Sequence, residues 1–311
     1  CGGSAPRRDQ EGRMELRSIA LATTALVAIA TFAQPASAAG GSSYMGKVNL
    51  GFGYAWEDYE CDGGECSTDL DYTSLHGSAS VNVPYNDRIN LQFDIFGAES
   101  LDEGDDCGST CGSFYGGFGA GLHLNYRDPQ VGALGVFGTV GRAAVASTYS
   151  SDFVVYAAGL EGEYYCNAWT LSAQAGYLDT DESGYGLIKE AGFIRAGAAF
   201  YPSKRLKLAG TVGYIDGNTD GSDNASDVNE WNWGFSLEYL FGQSVPVSTY
   251  LQYNGQSSEA YSPNEYTADR HEVRAGVRFH FGVIDDLQKA DREGAGFESP
   301  DILTWPRFDH D

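Results

Sequence analysis

The run "KVNLGFGYAW", residues 47–56, decides how this chain is read. Val48, Leu50, Phe52, Tyr54 and Trp56 share one parity, and Lys47, Asn49, Gly51 and Gly53 share the other. A period of two belongs to a strand, whose successive side chains point to opposite faces. The run also exceeds the roughly five or six residues of an ordinary globular strand. It has the length that a tilted strand needs to cross a bilayer.

The pattern recurs along the chain, over 75–83, 89–95, 118–126, 154–164, 169–177, 194–200, 206–214, 231–241, 247–253 and 273–281. A Gly-rich segment, 133–145, has no settled parity and brings the count to twelve strands. Short connections at 84–87, 127–132, 166–168, 202–205 and 242–246 alternate with long polar ones at 57–71, 99–112, 146–152, 179–189, 215–229 and 257–268. Up-and-down strands with short turns at one end and long loops at the other produce this alternation. Pro84, Pro129, Pro202 and Pro246 all fall in the short connections, where a missing N–H harms no ladder. Aromatic residues gather near the ends of the apolar faces: Trp56, Tyr126, Tyr164, Trp169, Tyr177, Phe200, Tyr214, Trp231 and Tyr239. Such positions form interfacial girdles. The chain is therefore read as all-β, a transmembrane up-and-down antiparallel β-barrel of twelve strands. A soluble β-sandwich would also alternate, but with shorter strands.

The N-terminal region reads as a leader. Residues 14–38 hold a short basic start, an apolar run "IALATTALVAIATF" (19–32) and a small-residue "ASA" ending at Ala38, the pattern of a cleaved signal peptide. Residues 1–13 precede Met14 and read as upstream sequence outside the native protein. Residues 39–282 form the expected barrel and 283–311 a periplasmic tail, which is either disordered or docked on a partner or in the lumen. The formal charge of −24, from 43 acids against 19 bases, argues against nucleic acid as a partner.

Taken together, the leader, the strand pattern and the final segment "HEVRAGVRFHFG" (271–282) resemble bacterial outer-membrane β-barrel proteins of the porin-like kind, over residues 44–282. The resemblance implies an integral outer-membrane protein with extracellular long loops and periplasmic termini. It implies contact with outer-membrane lipid and lipopolysaccharide, and a last strand closing on Phe279 and Phe281, which the assembly machinery reads. Here 29 residues follow that strand. Small hydrophilic solutes are the expected cargo of a narrow diffusion pore. A closed structural or adhesive barrel is the alternative.

The parity opposite to the apolar faces identifies the lumen. Lys47, Asp94, Glu161, Glu163, Arg195, Lys207, Glu238, Arg274 and Arg278 are its expected ionisable lining. Lys47, Arg274 and Arg278 form a basic wall facing Asp94, Glu161 and Glu163, either as a constriction or as ion pairs that plug the lumen. No hydrolase elbow, zinc helix or phosphate loop occurs. His76-Gly-Ser78 has the spacing of the catalytic pair in outer-membrane phospholipase A, but it falls on the lumen parity, so no enzyme is expected.

Two loop features remain. Asp216, Asn218, Asp220 and Asp227 repeat the ligand spacing of a calcium loop, but strands rather than helices flank them. They read as a weak cation site or a solvated acidic loop, and no other cofactor is expected. Cys61 with Cys66, and Cys107 with Cys111, suit two short-range disulfides in an exported protein. A zinc site from the four thiolates is the alternative.

Overall fold

A computed structural model describes residues 44–61, 67–101, 113–146, 152–181, 188–219, 226–241, 246–262, 264–282 and 286–300. The strands run in chain order: β1 (Met45–Cys61), β2 (Ser67–Pro84), β3 (Ile89–Ser100), β4 (Ser113–Asp128), β5 (Gly132–Ala146) and β6 (Asp152–Cys166). They continue with β7 (Trp169–Thr180), β8 (Ile188–Ser203), β9 (Leu206–Thr219), β10 (Ser226–Phe241), β11 (Val247–Ser262) and β12 (Asn264–Phe281). Each pairs antiparallel with its chain neighbours, and β1 pairs with β12 from Gly46↔Phe281 to Cys61↔Tyr266, so the sheet closes. A closed sheet has no edge, so backbone groups of the wall find their partners within it.

The outer face carries the apolar parity. Leu50, Phe52, Leu122, Leu134, Leu160, Ile194 and Val277 are all exposed. Two aromatic rings bound this belt. Tyr126, Tyr164, Trp169, Phe200, Tyr239 and Phe279 lie at the short-turn end, with Trp169 stacked on Phe200 at 4.6 Å. Trp56, Tyr156, Tyr177, Tyr214 and Trp231 lie toward the other end, with Tyr214 against Trp231 at 4.9 Å. Tyr156 and Tyr164 on β6 are eight residues apart, as are Trp169 and Tyr177 on β7. Eight residues span about 26 Å of strand. Tilted by about 40°, that is about 20 Å of bilayer, close to the apolar band of a membrane barrel.

The strands continue past the outer girdle, and this corrects the loop boundaries. Much of 57–71, 215–229 and 257–268, expected as loop, is paired strand: β11 reaches Ser262 and β12 starts at Asn264. Polar residues on both faces hide such extensions from a periodicity that looks for an apolar side. Pro202 also lies inside a strand, β8, beside the register shift between Phe200 and Ser203, where the ladder already lacks a bond.

Beyond β12 the chain turns at Gly282, whose φ of +97° is open to glycine at little cost. A Cβ there would stand 2.8 Å from Met45 Cγ and from the Tyr44 carbonyl. A short helix, α1 (Leu287–Glu293), then begins. Asp286 caps it, accepting from Gln288 N–H at 2.9 Å and Lys289 N–H at 3.3 Å. Gly294 ends it, donating to the Ala290 carbonyl at 3.0 Å.

Candidate functional site: the filled lumen

The inner face has three layers. The lowest, at the short-turn rim, receives α1. Leu287 packs with Tyr201 and Leu240 in a small buried cluster. Its N–H donates to the Lys204 carbonyl at 2.8 Å. Arg292 donates to the Trp169 carbonyl at 2.7 Å and the Asn167 carbonyl at 3.0 Å, and lies 4.8 Å from the Tyr165 ring. Asp291 accepts from Lys207 Nζ at 2.6 Å and from Tyr201 Oη at 2.6 Å. Burial pushes the Asp291 carboxyl up, but the Lys207 and Lys47 cations outweigh it and hold the group below its ordinary value.

The middle layer reads the tail's backbone. Asn82 Nδ2 donates to the Glu293 carbonyl at 3.1 Å, and Arg127 donates to that of Gly294. Gln92 Nε2 reaches the Phe297 carbonyl at 2.7 Å, and Gln174 Nε2 reaches that of Glu298 at 2.8 Å. These four side chains come from β2, β4, β3 and β7. The Phe297 ring lies between the Arg127 guanidinium, at 5.3 Å, and the His123 imidazole, stacked at 5.9 Å. Gly121 leaves space for the tip: a Cβ there would overlap Ser299 Oγ.

His123 is fully buried at the centre. Its Nε2 lies 2.9 Å from Asp94 Oδ2, and its Nδ1 lies 2.9 Å from Glu161 Oε2. Ser299 Oγ donates to Asp94 Oδ2 at 2.8 Å and lies 3.1 Å from His123 Nε2. Ser299, His123 and Glu161 thus trace the outline of a serine-hydrolase triad, but the protonation is wrong for one. A ring with a carboxylate at each nitrogen donates from both, as only the imidazolium can. Such a ring has no lone pair to take a proton from Ser299.

The outer layer is mixed. Phe153, Val155, Leu178, Ile188, Ile215 and Val228 pack inward with Phe193 and Phe137 below them, while Glu57, held by Arg270 at 3.0 Å and Tyr72 Oη at 2.8 Å, and Glu230 are buried at the same end on β1 and β10. Polarity does not mark the apolar residues as lumen; an apolar run on both parities does. Phe153 and Val155, alternating with Val154 and Tyr156, carried the signal. Between this layer and the tail lies a cavity of about 100 Å³, bordered by Pro300.

Every ionisable residue expected in the lumen lies on the inner parity, but the opposed walls do not form. Four of the five cations have a carboxylate beside them. Arg278 pairs with Glu238, Arg274 with Glu272 at 2.6 Å, Lys207 with Asp291, and Arg195 with Glu298 at 3.4 Å. Lys47 lies in the field of Asp291. Glu163 accepts from Tyr165 Oη at 2.6 Å, while Asp94 and Glu161 hold His123. At low dielectric a nearby counter-ion outweighs a distant wall, and the tail occupies the space between the walls. Residues 286–300 of the tail thus lie within the barrel, one of the places its sequence leaves open.

His76 and Ser78 belong to separate networks. His76 Nε2 faces Ser74 Oγ at 2.8 Å and Glu272 Oε1 at 2.7 Å, whereas Ser78 accepts from Asn49 at 2.6 Å. Asp216 and Asn218 lie on β9, paired with Asn229 and Asp227 of β10. Asp220 falls outside the described residues. Cys61 ends β1, but Cys66, Cys107 and Cys111, and with them both disulfides, also fall outside. Cys166 is exposed at the end of β6.

No family profile matches the chain, and no curated protein does. Solved structures with a similar arrangement include the translocator domain of the autotransporter NalP from Neisseria meningitidis, at 14% identity and a TM-score of 0.48 over 75% of this chain and 88% of that one. The Pseudomonas putida toluene transporter TodX has 10% identity and a TM-score of 0.40, over 78% and 91%. The KdgM porin has 8% and 0.41, over 74% and 99%. Values this low describe a likeness of barrel architecture and carry nothing about cargo.

Proposed function

We propose that the chain is a bacterial outer-membrane barrel that passes small hydrophilic solutes through a lumen which its own C-terminal segment holds shut. The observation that carries this reading is the socket: Asn82, Arg127, Gln92 and Gln174 hydrogen-bond four carbonyls of residues 293–298. Side chains from four strands are spent on one strap of backbone.

The composition of that interface supports reversibility. Its contacts are mostly hydrogen bonds and ion pairs, which water can replace on both surfaces when the strap leaves. The packed layer at the outer end, apolar on β6 to β9, is a closure of another kind. A hydrophobic constriction excludes water while narrow and conducts once widened. The cavity lies between the two closures. The doubly bonded His123 makes hydrolysis at Ser299 a poor reading of the same atoms, so the protein is taken as a passage and not an enzyme.

The two girdles, the leader read over 14–38 and the end of β12 support an outer-membrane placement. Phe279 faces outward near the rim, where outer-membrane assembly machinery would read the strand before the tail enters the lumen. The strand extensions beyond the outer girdle would stand among lipopolysaccharide.

Planar-bilayer recording tests the reading. The full chain should show rare, brief openings. Gly121→Leu, which removes the space for Ser299, should raise the open probability while the barrel stays heat-modifiable in detergent gels. A folded variant that never conducts would favour the second reading, a permanently closed structural barrel. The packed outer layer is the observation on that side.

A further inference from the structure

The cavity has a mixed lining. Phe193 and Arg195 of β8 and Ile215 of β9 line one wall, where apolar groups lie beside a guanidinium, and Arg270 and Arg274 of β12 bring two more guanidinium groups to the lining. Its volume accommodates several waters, and so a small organic acid. Glu272 stands behind two of these cations. It is almost fully buried and accepts from Arg274, Ser74 and His76. Glu230, also in the wall, accepts from Asn232 and Gln256.

Arg195 is different. Its carboxylate partner comes from the plug: Glu298 Oε2 at 3.4 Å, with side chains 26% and 55% exposed. A contact that long and that wet is weak. The position nonetheless already receives a carboxylate, one residue from the tip that holds Asp94. An exogenous carboxylate of better geometry, engaging the guanidinium fork with both oxygens, would outcompete it.

We propose that the cavity binds a small monocarboxylate, whose anionic end takes Arg195 from Glu298 and whose apolar end lies on Phe193 and Ile215, and that this binding favours release of the plug. The inference rests on the reading of residues 286–300 as a plug. A ligand that occupies Arg195 only when Glu298 has left shifts the equilibrium toward the released state by its differential affinity. The cargo, or its anionic companion, would then open its own path.

The test is recording of the full-length protein in planar bilayers, with sodium butyrate or benzoate replacing chloride at constant ionic strength. Open probability should rise and saturate with carboxylate, and butylammonium chloride should have no such effect. In Glu298→Gln the response should move to lower concentration, up to about fivefold, the upper end for an exposed ion pair. In Arg195→Gln it should vanish. An equal response to butylammonium, an undiminished response in Arg195→Gln, or no response of the wild type would each overturn the inference. Gly121→Leu separates this failure from that of the plug: if it conducts freely while the wild type ignores carboxylate, the plug stands and the site falls. If it is folded and silent, the plug reading itself fails.

Discussion

Lys207 Nζ, on the barrel wall, lies 2.6 Å from Asp291 Oδ2 on the helix that follows the last strand. This pair ties the tail to the inner face near the rim, with Tyr201 as a second donor to the same oxygen. Neutralising one partner leaves a charge in a poorly solvated place, at a cost of about 3–5 kcal/mol. Asp291→Asn should therefore loosen the tail and raise its susceptibility to protease, read by loss of the C-terminal fragment from intact barrels. The double variant Asp291→Asn, Lys207→Met should recover part of that loss, since no orphan charge remains.

The same carboxyl gives a pH dependence. Docking holds the Asp291 pKa below its ordinary value. Its contribution to docking is thus fully present above the ordinary carboxylate pKa, about 3.9. It declines as pH falls through the lowered value. Conductance at pH 7 should change little with small shifts in pH, and openings should lengthen below about pH 4. In Asp291→Asn this acid component should be missing.

His123 separates two carboxylates in the centre of the lumen. Replacing it with Ala leaves Asp94 and Glu161 facing each other without a cation, and a loss of about 3–5 kcal/mol is expected. The midpoint of heat modification should fall. His123→Ala with Asp94→Asn and Glu161→Gln should be closer to wild type than the single change.

Leu160 lies on the outer face, midway between Tyr156 and Tyr164. If those residues mark the two interfaces, Leu160→Arg places a charge near the bilayer midplane and costs about 2–4 kcal/mol. Urea titration of the protein refolded into vesicles measures this. A change below about 0.5 kcal/mol would contradict the membrane belt.

Some of this was legible in the linear chain. The parity of 47–56 and its repeats placed the outer face, because lipid demands apolar side chains at every second position of a spanning strand. That demand is local and needs no knowledge of neighbours. The inner face obeys no such rule. It meets whatever fills it, so Phe137, Phe193 and Ile215 face inward as legitimately as Lys207 does. The extent of β11 and β12 was equally hidden, since strands beyond the membrane have no solvent that must be apolar.

The sequence by itself determined that the chain forms twelve long amphipathic strands, with short turns at one end, leaving a lumen lined by particular ionisable residues. Only the tertiary structure decided what that lumen holds. Arg278 finding Glu238, His123 bridging β3 and β6, and Gly121 leaving space for Ser299 all depend on which strands closure brings together. The tail's composition suited disorder, docking on a partner or docking in the lumen. Its place follows from four donors on β2, β3, β4 and β7 that converge only after the barrel has closed.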